Sequence, residues 1–438
     1  MSRGLGSPLS FLLAGWGWLL LTSLLGLAAF WGIVRGAPLP PGLRSLHVHG
    51  VLIGGLLQLM TGFAITASDL TAQEGSRPKH RLLFLCLNLA ALGFTAGAWL
   101  RDPNLTVLAG FLLAAVCIPL VRHLLGGLRT CSTWTPLSSF FFGLSLLGLF
   151  GSLVLGGLLA WAWYPTWHGI IRLGHLHAGL LLLLTLAGVG TMQLTLPLLL
   201  KHTLHSTVVG QAVLLLLPAC AAGLLTGFLL SSIHIQLVAG GGLLLTLALC
   251  CLNVLRTWSQ AGQPGSAAAD HLLTALCFLL IMICIGLALG INVLWTPPAL
   301  PYGTLHLVAY THTAFLGFFL QAIVGGLSWA LPPLLAAQRV PHQKKRGAYR
   351  DVVEEVMNRW RALQVATVSF GALGLVLVAS LTWNLPLSSP WIHATTWGSL
   401  GLLLVHLTMV TVKLTQAVNT EPEHERAHTN EVTHSDKR

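Results

Sequence analysis

Apolar stretches long enough to cross a bilayer follow one another along almost the whole chain. A transmembrane helix needs about 20 consecutive apolar residues. Only 8% of the 438 residues are charged and 55% are hydrophobic, whereas about a quarter of a soluble domain is charged. The sequence therefore predicts an all-α integral membrane protein with one domain over residues 1–415. The predicted spans are about 10–34, 44–68, 81–100, 105–125, 137–161, 171–199, 207–230, 234–255, 270–295, 303–331, 361–384 and 390–415.

Basic residues are distributed unequally between alternating loops. If the N-terminus is cytoplasmic, the basic residues of the outer loops are only Arg35, Arg44, Arg101 and Arg172, and the rest of the 23 lysines and arginines lie inside. Because cytoplasmic loops carry the excess of positive charge, both termini are expected inside, as in a bacterial inner membrane. The net charge of +11 is thus a topology signal and does not indicate nucleic-acid binding.

Two inner segments are polar. The longest inner loop, between spans ten and eleven, carries a basic cluster that we interpret as an anchor contacting anionic lipid head groups. Its members are Arg339, Lys344, Lys345, Arg346 and Arg350. The segment from Glu421 to Arg438 is polar and lacks apolar periodicity, and residues 416–438 are expected to form a disordered cytoplasmic tail.

Spans two, six and ten begin with one shared pattern. The segments are His47-Val48-His49, His175-Leu176-His177 and Tyr310-Thr311-His312, and a glycine follows the last histidine at the same interval, at Gly62, Gly190 and Gly325. An ionisable residue inside an apolar span is costly and marks a functional site. Because four spans fit in each interval, the pattern predicts three four-helix units, about 10–125, 137–255 and 270–415. Their histidines would lie at similar depth.

The residue types restrict the chemistry. Histidine is the commonest axial ligand of heme iron, and the two rings of a helical His-x-His point about 200° apart, so that one motif serves two sites. All twelve acidic residues lie outside the spans or at their ends. Histidine, tyrosine and hydroxyl groups are then the expected polar groups in the membrane, which argues against proton pumping and against a cation-coupled transporter. His234 lies at the start of span eight and repeats the pattern only in part, as a single histidine.

This arrangement resembles subunit I of the heme–copper oxidase superfamily. His49-Gly50 matches the family's low-spin heme ligand on helix two, and His312 matches the second low-spin ligand on helix ten. Tyr310 stands where the family has the ligand of the catalytic heme, and His306 is a candidate substitute. The family's metal site takes adjacent histidines from helix seven, which has none here. A copper site would therefore be built from His175 and His177, with His47 or His234 as a further candidate ligand.

The resemblance implies a membrane redox protein that binds one or two b-type hemes, with copper as a candidate second metal. Its implied partners are membrane lipid, other respiratory subunits and a cytochrome c or quinol donor. The reduction of oxygen or nitric oxide would need a non-standard second site. The segment from Gly62 to Ala67 also resembles the NnrS family, which is tied to nitric oxide stress. A third hypothesis is a carrier whose histidines bind a soft metal or small molecule.

Overall fold

The computed structural model describes residues 6–34, 38–71, 80–130, 136–162, 164–296, 309–382 and 384–422. All regular structure in these ranges is helical. Twelve of the described helices are long and apolar enough to cross a membrane, which confirms a multi-span membrane protein. They are α1 Pro8–Val34, α2 43–71, α3 Arg81–Leu100, α4 Pro103–Thr130, α5 Pro136–Ala160, α6 Pro165–Leu200, α7 Thr207–Leu229, α8 Ile233–Gln260, α9 Ala267–Asn292, α10 Ala309–Arg339, α11 Arg361–Leu381 and α12 Pro390–Asn419.

Most helix ends agree with the sequence prediction to within a few residues. The clearest differences lie near the C-terminus. Helix α10 continues to Arg339, eight residues past the predicted end at 331. Helix α12 continues to Asn419, so residues 416–419 are helical and the predicted tail starts too early. The part of that tail from 423 to 438 lies outside the described residues.

Three helices form the centre of the bundle. In α2, α6 and α10, 72%, 72% and 78% of the most apolar window is buried, against at most 39% in the other nine described spans. Helix α10 contacts both α2 and α6. Glycines make these contacts close: a Cβ atom on Gly326 of α10 would lie 3.0 Å from Phe63 of α2, and one on Gly188 of α6 would lie 2.9 Å from Phe318 of α10. The three helices that begin with the shared histidine pattern are therefore the central ones.

The same neighbours recur around these three helices. Helices α1, α5 and α9 pack along α2, α6 and α10 respectively, and the pairs α3–α4, α7–α8 and α11–α12 form antiparallel hairpins. Helices α4 and α5 are in contact, as are α8 and α9. The first and last helices are joined by a hydrogen bond of 3.0 Å that the Trp16 indole donates to the Thr411 hydroxyl. The outer helices thus enclose the central ones.

Each central helix contains a π-helical segment of eight residues. The segments are Gly50–Leu57, Ala178–Thr185 and Thr313–Leu320. Each begins at the residue after the second histidine of its motif, His49, His177 or His312. π-Helical turns are rare in proteins and occur frequently at functional sites. This irregularity distinguishes the three motifs from the rest of the bundle.

The basic loop between α10 and α11 forms a helix that the sequence analysis did not predict. This connector helix, Gln343–Asn358, buries Tyr349, Val353, Val356 and Met357 against the bundle. Arg339, a member of the basic cluster, forms hydrogen bonds within the protein. Its guanidinium donates to the Tyr349 hydroxyl at 3.1 Å and to the Thr420 carbonyl at 2.6 Å. It also donates to the carbonyl of Val418, and it therefore fixes the end of α12.

Candidate cofactor site

The first histidine of each His-x-His motif is held by the preceding helix. The Nδ1–H of His47 donates to the Thr22 carbonyl of α1 at 2.7 Å, and the Nδ1–H of His175 donates to the Ser152 carbonyl of α5 at 2.8 Å. One turn further along each helix, a glycine leaves room for the ring. A Cβ atom on Gly26 would lie 2.7 Å from the His47 ring. A Cβ atom on Gly156 of α5 would lie 3.1 Å from the His175 ring.

The second histidine of each motif is held by its own helix and faces the following one. The Nδ1–H of His49 donates to the Ser45 carbonyl at 2.8 Å, and that of His177 donates to the Leu173 carbonyl at 2.9 Å. The His49 ring stacks on Phe94 of α3, with centroids 5.6 Å apart and planes at 7°. The His177 ring lies 4.7 Å from Phe228 of α7. The two rings of each motif therefore face different neighbours, as the helical period predicts.

Tyr310 occupies the position of the first histidine on α10. It is buried, and a Cβ atom on Gly286 of α9 would lie 3.2 Å from its ring. Gly26, Gly156 and Gly286 thus accommodate the ring at this position in all three central helices, and they are equally spaced in the sequence. The Tyr310 ring centroid lies 6.2 Å from that of His177, which brings α6 and α10 together at this level.

The hydrogen bonds determine which nitrogen of each histidine is available. A carbonyl oxygen only accepts, so the Nδ1 atoms of His47, His49, His175 and His177 carry the proton and each neutral ring keeps its lone pair on Nε2. Metal-ligating histidines almost always donate their other ring N–H to a carbonyl or carboxylate in this way. None of these four Nε2 atoms forms a hydrogen bond with the described part of the chain. All four are therefore suited to bind iron or copper.

The described residues do not bring these histidines into one compact metal cluster. Among them, no group of three or more histidine, cysteine, aspartate or glutamate side chains is placed to hold a metal ion. His49 on α2 and His175 on α6 are close enough to interact electrostatically. His234 is exposed in the first turn of α8, and His306 lies outside the described residues. His312 ends the α-helical turn before the third π segment, in register with His49 and His177.

The sequence analysis missed a group of buried polar side chains on the later helices. Its expectation that histidine, tyrosine and hydroxyl groups are the only polar groups inside the spans is wrong. The side chains of His271, Gln321, Gln364, His406 and Lys413 are all fully buried. His271 and Lys413 lie within two or three residues of a predicted span end, where ionisable residues are common. Only the packing of the helices shows that both point inward.

No protein-family model matches this chain, and no curated protein matches it.

Proposed function

We propose that the chain is a heme b-binding membrane redox protein built from three equivalent four-helix units. Three recurring features support the units: the π segment after each second histidine, the equally spaced glycines at the first ring position, and the common order of helix neighbours. The units run from α1 to α4, from α5 to α8 and from α9 to α12. Both termini are proposed to lie in the cytoplasm of a bacterial cell, on the strength of the charge distribution.

The observation that carries the heme proposal is the orientation of the histidines. Each described imidazole of the two His-x-His motifs donates its Nδ1–H to a backbone carbonyl and keeps Nε2 without a hydrogen bond to the described chain, near the start of an apolar span. Such a ring is a strong neutral ligand with a fixed direction. His49 and His312 are proposed as the axial ligands of a low-spin heme b, which supplies one-electron transfer when bound.

A second cofactor position is proposed on the α6–α10 side. His177 and Tyr310 lie 6.2 Å apart there, and Tyr310 brings a phenol that ligates ferric heme in other proteins. His47 and His175 are further candidate ligands, for a second heme or for copper. Oxygen or nitric oxide would be the substrate of such a site. Electrons are proposed to arrive from a cytochrome c, from quinol or from another respiratory subunit.

The first experiment is a reduced-minus-oxidised spectrum of the detergent-purified protein, with a pyridine hemochrome count and a carbon monoxide difference spectrum. We expect a b-type spectrum that is lost in His49→Ala and in His312→Ala. The matched control is His168→Ala, because His168 is exposed near the start of α6 and is absent from both motifs. A full spectrum in either His49→Ala or His312→Ala would overturn the ligand assignment.

The number of hemes separates two forms of the proposal. One heme without a carbon monoxide shift would indicate an electron carrier, whereas two hemes with a shift would indicate a reductase with unusual ligands. A protein purified without heme would contradict the proposal. In that case, uptake of a soft metal into proteoliposomes would favour a histidine-based carrier.

A further inference from the structure

A buried polar cluster joins α9, α10, α11 and α12 at a distance from the His-x-His motifs. His271 of α9 and His406 of α12 lie with ring centroids 5.8 Å apart and planes at 70°. Lys413, two helical turns further along α12, donates from Nζ to the Met357 carbonyl at 2.9 Å and to the Gln364 side-chain oxygen. No carboxylate of the described chain forms an ion pair with this lysine.

Hydrogen bonds fix the tautomers of both histidines. The Nδ1–H of His271 donates to the side-chain oxygen of Gln321 at 2.5 Å, and the amide of Gln321 donates in turn to the Ser369 hydroxyl at 2.9 Å. The Nδ1–H of His406 donates to the backbone carbonyl of Gln364 at 2.9 Å. Each neutral ring therefore carries its lone pair on Nε2.

Three buried atoms of this cluster have no hydrogen-bond partner in the described chain. They are Nε2 of His271, Nε2 of His406 and Nε2 of Gln364. The two imidazole nitrogens are acceptors, and the amide nitrogen is a donor. Leaving each unpaired costs about 1–3 kcal/mol. A partner that donates two hydrogen bonds and accepts one would satisfy all three.

The charges around the cluster decide between a metal ion and water. Two imidazole lone pairs could ligate a metal ion, but the N–H of Gln364 would face that ion, and the repulsion from the nearby amino group of Lys413 would grow with the charge of the ion. The described residues offer no third ligand of the usual kind. A water molecule donates two hydrogen bonds and accepts others, so that it matches the three atoms, and buried waters typically make about three such bonds.

A histidine at position 271 is not needed for packing. Phe11, Phe141 and His271 are equally spaced in the sequence, lie on α1, α5 and α9, and are all fully buried. Two of the three proposed units therefore fill this position with a phenylalanine. In the third, the imidazole replaces the benzene ring and meets Gln321, which directly follows the π segment that begins after His312.

We propose that His271 and His406 form a proton-binding centre in which one proton is shared between their Nε2 atoms through a bridging water. The proton comes from the aqueous phase and binds one Nε2 lone pair, giving one imidazolium; the water hydrogen bond to that nitrogen is replaced by one that the new Nε2–H donates to the water, and the water still donates to the other ring. We further propose that this proton uptake balances the negative charge of the electron that enters the heme bound by His312. This coupling rests on the proposed function. Gln321 lies nine residues along α10 from His312, or about 14 Å.

Other charged or titratable groups on the surrounding helices also influence how strongly this proton is bound. Lys413 on α12 adds positive charge, and its Nζ is directed to the Met357 carbonyl and to Gln364. Asp270, adjacent to His271 on α9, forms an ion pair with Arg361 of α11 at 3.5 Å. The described thiols of α8 and α9 are those of Cys250, Cys251, Cys277 and Cys284.

The proton centre can be tested without heme. Histidine-selective ¹⁵N solid-state NMR on the full chain in lipid bilayers would follow the imidazole nitrogens between pH 5 and pH 9. The lines removed by His271→Phe or by His406→Gln identify the pair. We expect the Nε2 signals of both histidines to change together over this range, whereas His168→Phe leaves the same transition intact. Two lines that stay neutral throughout, or that titrate independently, would overturn the proposal.

The coupling to heme is a separate measurement. Two unit charges about 14 Å apart in a medium of effective dielectric constant about 20 change an equilibrium on the order of sevenfold. The ratio of reduced to oxidised heme at a fixed potential should therefore change severalfold between pH 5 and pH 9, and this change should vanish in His271→Phe and in His406→Gln. A dependence that persists in both variants would contradict the coupling. A chain without heme would contradict only the proposed function.

Discussion

The glycine beside the first histidine gives the sharpest test of how the site is built. Gly26→Ala would place a methyl group 2.7 Å from Cε1 and 3.2 Å from Nδ1 of His47. Ordinary carbon–carbon contacts are about 3.5–4.0 Å, so the ring must move by about 1 Å. The Nδ1–H bond to the Thr22 carbonyl, 2.7 Å long, would stretch beyond useful hydrogen-bonding distance.

Two costs add in this variant. Overpacking a well-packed interior costs about 1–3 kcal/mol, and the lost hydrogen bond costs about 1 kcal/mol more. Replacing a helical glycine by alanine offsets them by about 0.5–1 kcal/mol. The net destabilisation should be about 2–3 kcal/mol. In a thermal unfolding assay on the purified protein, followed by tryptophan fluorescence, the midpoint should fall by several degrees.

The same helix provides the control. A Cβ atom on Gly17 meets nothing within 4 Å, so Gly17→Ala keeps only the gain in helix propensity and should be neutral or slightly stabilising. Any b-type spectrum that depends on His47 should weaken in Gly26→Ala and remain in Gly17→Ala. Equal midpoints and equal spectra for the two variants would refute the assignment of Gly26 as the residue that makes room for the histidine.

Two further predictions concern other contacts. Gly286→Ala should disturb Tyr310, because its Cβ would lie 3.2 Å from the ring, whereas Gly241→Ala on α8 meets nothing within 4 Å; a carbon monoxide difference spectrum that is unchanged in both would argue against Tyr310 as part of a second cofactor position. Arg339→Gln should lower the unfolding free energy by about 2 kcal/mol, because it removes charge-assisted bonds to the Thr420 and Val418 carbonyls. Arg350→Gln, which breaks a solvent-exposed pair with Glu354, should cost less than about 0.5 kcal/mol. Equal thermal midpoints for these two arginine variants would contradict the role given to Arg339.

The helices could be predicted from the sequence because span length and hydrophobicity are local properties. Helix α7, for example, runs from Thr207 to Leu229, against a prediction of 207–230. The connector helix could not be found in the same way. It is short and charged, and it becomes stable by burying Tyr349 and Val353 against the bundle, a contact made only when the distant helices are assembled.

Neither the π segments nor the face of each helix that points inward could be predicted from the sequence. Membrane helices are apolar on all sides, so composition does not reveal which face points inward. The position of Lys413 near the end of a predicted span therefore says nothing about its complete burial. A π segment adds a residue to a helical turn, and whether that is favourable depends on the contacts that the displaced side chains make. The π segments directly follow the histidine motifs, but nothing in those motifs predicts them.

In the proposed three-unit arrangement, the third unit differs from the other two at two levels of the bundle. At the level of the cofactor position, Tyr310 replaces the first histidine, and Met282 stands where α1 and α5 have Thr22 and Ser152. At the level of the buried cluster, His271 replaces a phenylalanine. Both changes alter the proton chemistry of one unit while the packing glycine at 286 and the buried position at 271 are kept. In the proposed arrangement, the cofactor ligands lie on the first two units and on His312, and the proposed proton-binding histidines, His271 and His406, lie on the third unit.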